Sequence, residues 1–295
     1  MFILNRRNFI SLAAAGAAAT AFAGRFAHAA STGTEVFTSD EAGLLVDSTV
    51  ILGEKSAVVV DAQFTQANAA ALADVIAATG RKVETIFITH FHPDHILGLA
   101  VLMDRFPDAK PVAHAAVQGM IAQTAQPMLD RIGGGAPAGV FASRVVIPDV
   151  LSADHIKLEG ERIEVLGPLH GDTALITPLH IPALKTVIAA DIAYADTHLW
   201  LEENTKPEQI AAWRESIKTL QGLNAETVIP GHRKADSKSD ASVFAQTSAY
   251  LDYWEKALAE SKSAEELKAA LLAGNEGLGF AFAIDRAVAA VYPPK

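Results

Sequence analysis

The chain has 295 residues, half of them hydrophobic, with charge of both signs spread along it, which is ample material for a sizeable buried core. Its formal charge of −10 and its lack of any Lys/Arg cluster argue against a nucleic-acid partner, because phosphate backbones are bound by grouped cations that displace counterions. Cysteine is absent, so disulfides, thiolate metal sites, a cysteine nucleophile and a lipid anchor on cysteine are excluded, and any metal must be held by nitrogen and oxygen.

The first element is a targeting segment. Arg6 and Arg7 precede an alanine-rich run from Phe9 to Ala23 and the small-residue site Ala27-His28-Ala29, the pattern of a twin-arginine signal over residues 1–29. A spanning helix needs about 20 apolar residues, and this run is shorter and closed by Gly24 and Arg25, so no stable membrane anchor is expected. The expected partner is the twin-arginine export machinery and the expected location periplasmic or secreted. Cleavage near Ala29 removes three arginines and no acid, taking the formal charge from −10 to −13.

Short β-type runs follow at Thr34 to Phe37, Leu44 to Leu52 and Ala57 to Val60, then a helical stretch from Gln66 to Ala78 that ends at Gly80. The β-branched run Thr85 to Thr89 leads into His90, an apolar helix is expected near Ile96 to Phe106, a strand at Pro111 to Ala113 and a helix over Ala115 to Ile132. Gly133-Gly134-Gly135-Ala136-Pro137 breaks the pattern and reads as a surface loop rather than a lid hinge. Strands are expected at His155 to Leu158, Arg162 to Leu166, Ala174 to Thr177 and Thr186 to Ala190, then an amphipathic helix over Pro207 to Leu220. A short strand, Glu226 to Ile229, delivers Pro230-Gly231-His232, and the chain from about Ser242 is helical by composition. Two comparable halves with no linker between them predict one layered α/β domain over residues 30–295.

The chemistry concentrates in Thr89-His90-Phe91-His92-Pro93-Asp94-His95, where a buried strand ends and a helix begins. Residues two apart on an extended segment project to one side, so His90 and His92 can grip one ion, while Asp94 and His95, past Pro93, can face a second. Imidazole and carboxylate suit zinc and also admit iron, manganese or cobalt. The alternative, a polar helix cap with solvated histidines, accounts poorly for three histidines and an aspartate in this register.

His-x-His-x-Asp-His after a strand resembles the signature of the metallo-β-lactamase superfamily, and four further elements of that family's pattern occur in order: Val60-Asp61, Leu169-His170-Gly171, Ala190-Asp191 and Pro230-Gly231-His232. The resemblance implies a four-layer αβ/βα sandwich with extra C-terminal helices after about Ser242. It also implies two metal ions, zinc above all with iron or manganese as alternatives: one on His90, His92 and His170, a second on Asp94, His95 and His232, with Asp191 bridging and Asp61 supporting the loop. A shared water between such ions becomes a nucleophile near neutral pH, and Asp94 can orient it or shuttle its proton.

Two departures stand out: Ala190-Asp191 where the family commonly reads Gly-Asp, and His170-Gly171-Asp172-Thr173 where it reads His-Thr-Pro-Gly-His. Asp191-Ile192-Ala193-Tyr194 is similar to the Asp-x-x-Tyr of lactonases in the superfamily, so Tyr194 is a candidate to assist a carbonyl oxygen, and His198 a candidate substrate contact. His114, His155 and His180 carry no expectation of metal binding. The expected activity is hydrolysis of a small-molecule carboxylic ester, lactone, thioester or amide. β-Lactam hydrolysis and a mononuclear-iron, sulfur-dioxygenase-like oxidoreductase are the rivals, and a non-catalytic binding protein is disfavoured because every expected ligand is present.

Overall fold

The computed structural model describes residues 32–293, so the targeting segment lies outside the described residues. Six strands, β1 (Gly33–Thr38), β2 (Asp47–Leu52), β3 (Ser56–Val60), β4 (Lys82–Ile88), β5 (Lys110–Ala113) and β6 (Asp149–Val150), form the first sheet in chain order. Its first three strands pair antiparallel and the rest parallel. The second sheet holds β7 (His155–Leu158), β8 (Glu161–Val165), β9 (Leu179–Ile181), β10 (Thr186–Ala195) and β11 (Thr227–Arg233), ordered β11-β10-β9-β8-β7, with only β10 and β11 parallel. The helices are α1 (Gln66–Ala78), α2 (Pro93–Ile96), α3 (Leu99–Arg105), α4 (Ala115–Gly133), α5 (Pro207–Gln221), α6 (Ser242–Glu260), α7 (Ala264–Gly274) and α8 (Phe282–Val291).

Strand periodicity explains the layering. In β3 every residue from Ala57 to Val60 is buried, but alternate side chains enter different cores. Ala57 and Val59 pack with Leu72 and Ile76 of α1, Leu102 of α3 and Ile121 of α4. Val58 and Val60 face the other way, with Phe87, onto Ile163, Ile188 and Ile229 of the second sheet. The far side of that sheet, through Val187, Ala189 and Val228, packs on Trp213 of α5, Trp254 of α6, Leu267 of α7 and Ile284 of α8. Helices, sheet, sheet and helices therefore make four layers, and each fully buried Val, Ile or Leu among them contributes about 1.5–3 kcal/mol.

The exceptions to the expected elements lie close to the centre described below. The strand expected from Leu44 begins at Asp47, because Leu44 and Leu45 take left-handed backbone (φ 66° and 59°) after a 3-10 turn. The helix expected over Ile96 to Phe106 is split into α2 and α3 at Gly98, whose N–H donates to the Gln63 carbonyl and where a Cβ would stand 1.9 Å from the Ala62 carbonyl oxygen. Ala174 to Thr177 forms only a bridge, Leu169 to Ile176, rather than a strand. β10 runs on to Ala195 and β11 to Arg233, past the points where polar residues and Pro230 predict their ends. Since β11 is an edge strand, Pro230 costs it no inner ladder bond.

Candidate metal centre

Three strands converge here: β4 delivers His90 just past its end, β10 carries Asp191 in its middle, and β11 carries His232 near its end. Four buried histidines each fix one ring nitrogen outward and turn the other inward. His90 Nδ1 meets the Thr89 hydroxyl at 3.0 Å, His95 Nδ1 meets Asp61 at 2.8 Å, and His92 Nε2 meets Glu203 at 2.8 Å. His232 Nδ1 meets the Leu44 carbonyl at 2.8 Å, which gives the left-handed turn at Leu44 its purpose. Anchoring one nitrogen sets the tautomer and the direction of the other, the usual arrangement of metal-binding imidazoles.

Asp61 accepts from the Thr89 N–H and hydroxyl, both at 2.8 Å, as well as meeting His95. It does so from a left-handed backbone (φ 62°). Ala190 is left-handed too (φ 47°), so a glycine would sit there without strain. The chain accepts the strained alanine and keeps the direction of Asp191. Gly231 is required for a different reason, since a Cβ there would lie 1.8 Å from Asp191 Oδ1.

Asp191 joins the inward atoms. Its Oδ2 lies 3.1 Å from His232 Nε2 and 3.5 Å from His90 Nε2, and its Oδ1 lies 3.3 Å from His95 Nε2. The donors fall into two groups, each with its ligand atoms within 4.8 Å of one another: His90, His92, Asp172 and Asp191, and Asp94, His95 and His232.

Asp172 stands where His170 was expected. The His170 ring does not join either group: its Nε2 meets the Asn204 side-chain oxygen at 2.8 Å. The cause is the turn at Gly171, which packs so tightly that a Cβ would lie 2.6 Å from the Asp191 carbonyl oxygen. The Asp172 N–H donates to that same oxygen at 3.1 Å, and Asn204 donates to the carbonyls of Gly171 and Asp172. Pinned in this way, Asp172 turns its Oδ2 to 3.0 Å from His92 Nδ1.

Tyr194 is beside the centre, as its spacing from Asp191 suggests, but its hydroxyl points at Asp172 Oδ2 and Asp191 Oδ2, each 3.1 Å away, and the residue is buried. In this position it braces two carboxylates. His198 is buried: burial holds its pKa down at about 4, and its Nδ1 meets the Tyr250 hydroxyl at 2.9 Å. His114 caps α4, while His155 and His180 pair with Asp154 and Glu164 away from the centre.

A ladder of rings extends from the centre. Tyr194 and Phe280 each lie parallel to the His232 ring, with centres 5.0 and 4.8 Å from it and planes within 6° and 7°, and Trp200 continues the stack 6.1 Å from Phe280. Phe280 has φ 60°, an outlier for a bulky residue. A cavity of about 380 Å³ opens beside this stack, lined in part by His92, Pro93, Asp94, Trp200 and Phe280.

The electrostatics of the cluster call for added positive charge. Burial raises the Asp172 carboxyl to about 7 despite the pull of His92. For Asp191 burial also acts upward, but His95, His232 and His90 outweigh it and hold the group well below the usual carboxylate range. Burial would depress His95, yet Asp191, Asp61 and Asp94 hold it well above an ordinary imidazole. Asp61, Asp94, Asp172 and Asp191 are all buried in the cluster, and divalent cations would offset these carboxylates in place of protons on the rings. Nε2 of His90 and of His95, and Oδ1 of Asp172 and of Asp191, are buried without a hydrogen-bond partner among the described residues. Such groups normally find partners, and nitrogen and carboxylate donors aimed at one spot fit metal ions.

A family model described as the metallo-beta-lactamase superfamily matches residues 42–232. Among solved structures, a metallo-beta-lactamase family protein from Thermus thermophilus is similar over 88% of this chain and 92% of its own, with TM-score 0.60 and 20% identity. A metallo-beta-lactamase from Pontibacter korlensis covers 70% of this chain and 87% of its own (TM-score 0.53, 19% identity). The DIM-1 metallo-beta-lactamase covers 74% and 92% (TM-score 0.51, 21% identity). At these identities the likeness is one of fold. No curated protein matches the sequence.

Proposed function

The chain belongs to the metallo-β-lactamase superfamily, and on that premise we propose that it is an exported metal-dependent hydrolase acting on a carboxylic ester, lactone, thioester or amide. The observation that carries the reading is the pair of adjoining donor groups with four buried, unpartnered atoms turned inward. When bound, two divalent cations, zinc first with iron or manganese as alternatives, would supply Lewis acidity and an acidified water.

In this reading His90, His92 and Asp172 would hold one ion and Asp94, His95 and His232 the other, with Asp191 within reach of both donor groups. Asp94 is the ligand carboxylate that also borders the cavity, so it is the group placed to take or return a proton beside a substrate. Tyr194 shares its one proton between Asp172 and Asp191 and fixes their orientation. Glu203, accepting from Thr173 and holding His92, closes the outer side.

The test is elemental analysis of the purified protein together with a panel of ester, lactone, thioester, amide and β-lactam substrates. About two equivalents of zinc and cleavage of a carbonyl substrate are expected; a single iron with no hydrolysis would overturn the reading in favour of oxidoreductase chemistry. For export, Arg6→Lys with Arg7→Lys should leave the precursor unprocessed in the cytoplasm, and normal processing would refute the twin-arginine route.

A further inference from the structure

The cavity beside the donor groups has two kinds of wall. Leu44, Phe64, Met128, Trp200, Phe280 and Phe282 make it apolar, and Phe282 leaves 53% of its surface exposed although its ring lies 6.2 Å from that of Trp200. Into the same space come two guanidinium groups, Arg131 from the last turn of α4 and Arg286 from α8. They are not equivalent. Arg286 is matched by Glu202, on which both Nε and Nη2 donate, whereas Arg131 has neither hydrogen bond nor ion pair among the described residues. The acid next to it, Asp130, accepts from Gln126 at 2.8 Å along the helix. Among the described arginines Arg131 alone lacks a hydrogen-bond or ion-pair partner.

Building on the hydrolase reading, we propose that the substrate is amphipathic: an ester, thioester or amide whose apolar body lies against Trp200, Phe280 and Phe282 and carries a carboxylate or sulfate that is seated on Arg131. A planar guanidinium takes such an anion through two parallel N–H donors, and Arg131 is exposed at the cavity's edge, open to an incoming anion. The reacting carbonyl then faces His92 and Asp94, which border the same cavity. Phe280, Phe282 and Arg286 follow the segment matched by the family model, so this selectivity belongs to the C-terminal extension and α4 rather than to the shared centre.

The experiment compares two phenylalkyl esters that differ only in an ω-carboxylate against a methyl group, with zinc-loaded full-length protein, and in parallel measures by calorimetry the binding of 4-phenylbutyrate and 4-phenylbutanol. The anionic ester is expected to have the higher kcat/KM by roughly tenfold, and Arg131→Gln to bring the ratio near unity, with a matching loss in phenylbutyrate affinity. Arg131→Glu should invert the preference. A preference that survives Arg131→Gln would place the anion on the metal ions and overturn the proposal, as would equal rates for the two esters. If neither ester is cleaved while phenylbutyrate still binds and still depends on Arg131, the hydrolase reading fails and the anion site stands.

Discussion

The two halves of the centre are built in different ways. The first sheet contributes His90, His92, Asp94 and His95 from one six-residue stretch, where a strand end and a short helix bring the ligands together through local geometry. The second sheet contributes Asp172, Asp191 and His232 singly, from a turn and two strands, and each is directed by contacts distant in sequence: Asn204 on the turn, Gly231 against Asp191, and Leu44 on His232. Where local chain geometry places a ligand, neighbouring residues identify it. Where tertiary contacts place it, they do not, and the choice between His170 and Asp172 is of this second kind.

The largest effect should come from that choice. Asp172→Ala is expected to remove about one equivalent of metal and lower turnover by about 10²–10³-fold, while His170→Ala keeps its metal and loses less than about tenfold. Elemental analysis and steady-state rates on the two variants decide it, and the reverse result would return His170 to the ligand set.

A smaller effect separates the supports of the two halves. Asp61 is buried and holds His95 and Thr89 together, whereas the Glu203 side chain that holds His92 is 43% exposed. Asp61→Asn should therefore weaken metal affinity by about 10–100-fold and Glu203→Gln by less, read by competition with a chelator. Equal losses would mean that burial of the support does not matter here. The smallest effect is expected at Tyr194: because its hydroxyl meets two carboxylates rather than the cavity, Tyr194→Phe should weaken metal binding several-fold while kcat at saturating metal changes less than about tenfold. A large fall in kcat with metal binding unchanged would give the phenol back its role toward substrate.

Much of the fold was legible in the sequence because it follows from periodicity. The continuous apolar run of β3 and the β-branched run before His90 demand burial on both faces, and the helix α5 carries clear apolar spacing. The misread places share one cause. Gly98 splits a helix to approach Ala62, the carboxylate of Asp191 continues a strand because histidines balance it, and Phe280 accepts a left-handed backbone to lie on His232. In each, a contact across the fold overrides local propensity. Asp172 left one trace, the carboxylate two residues after His170 where the family pattern differs; Glu203 and Arg131 left none, because an acid or an arginine on a surface segment looks the same whether or not it borders a cavity.

Phe280 couples two distant stretches of chain, since its ring rests flat on His232 forty-eight positions earlier while Gly279 exchanges backbone hydrogen bonds with Asp196 and His198. Thermodynamic linkage is reciprocal: if the placement of this segment steadies His232, then a cation on His232 steadies the segment by the same free energy. Removing metal should therefore raise the hydrogen-exchange rate of the amides around 277–284, none of which is a ligand, and leave those of β3 unchanged. In that sense the C-terminal extension reports on the occupancy of a centre to which it contributes no donor atom.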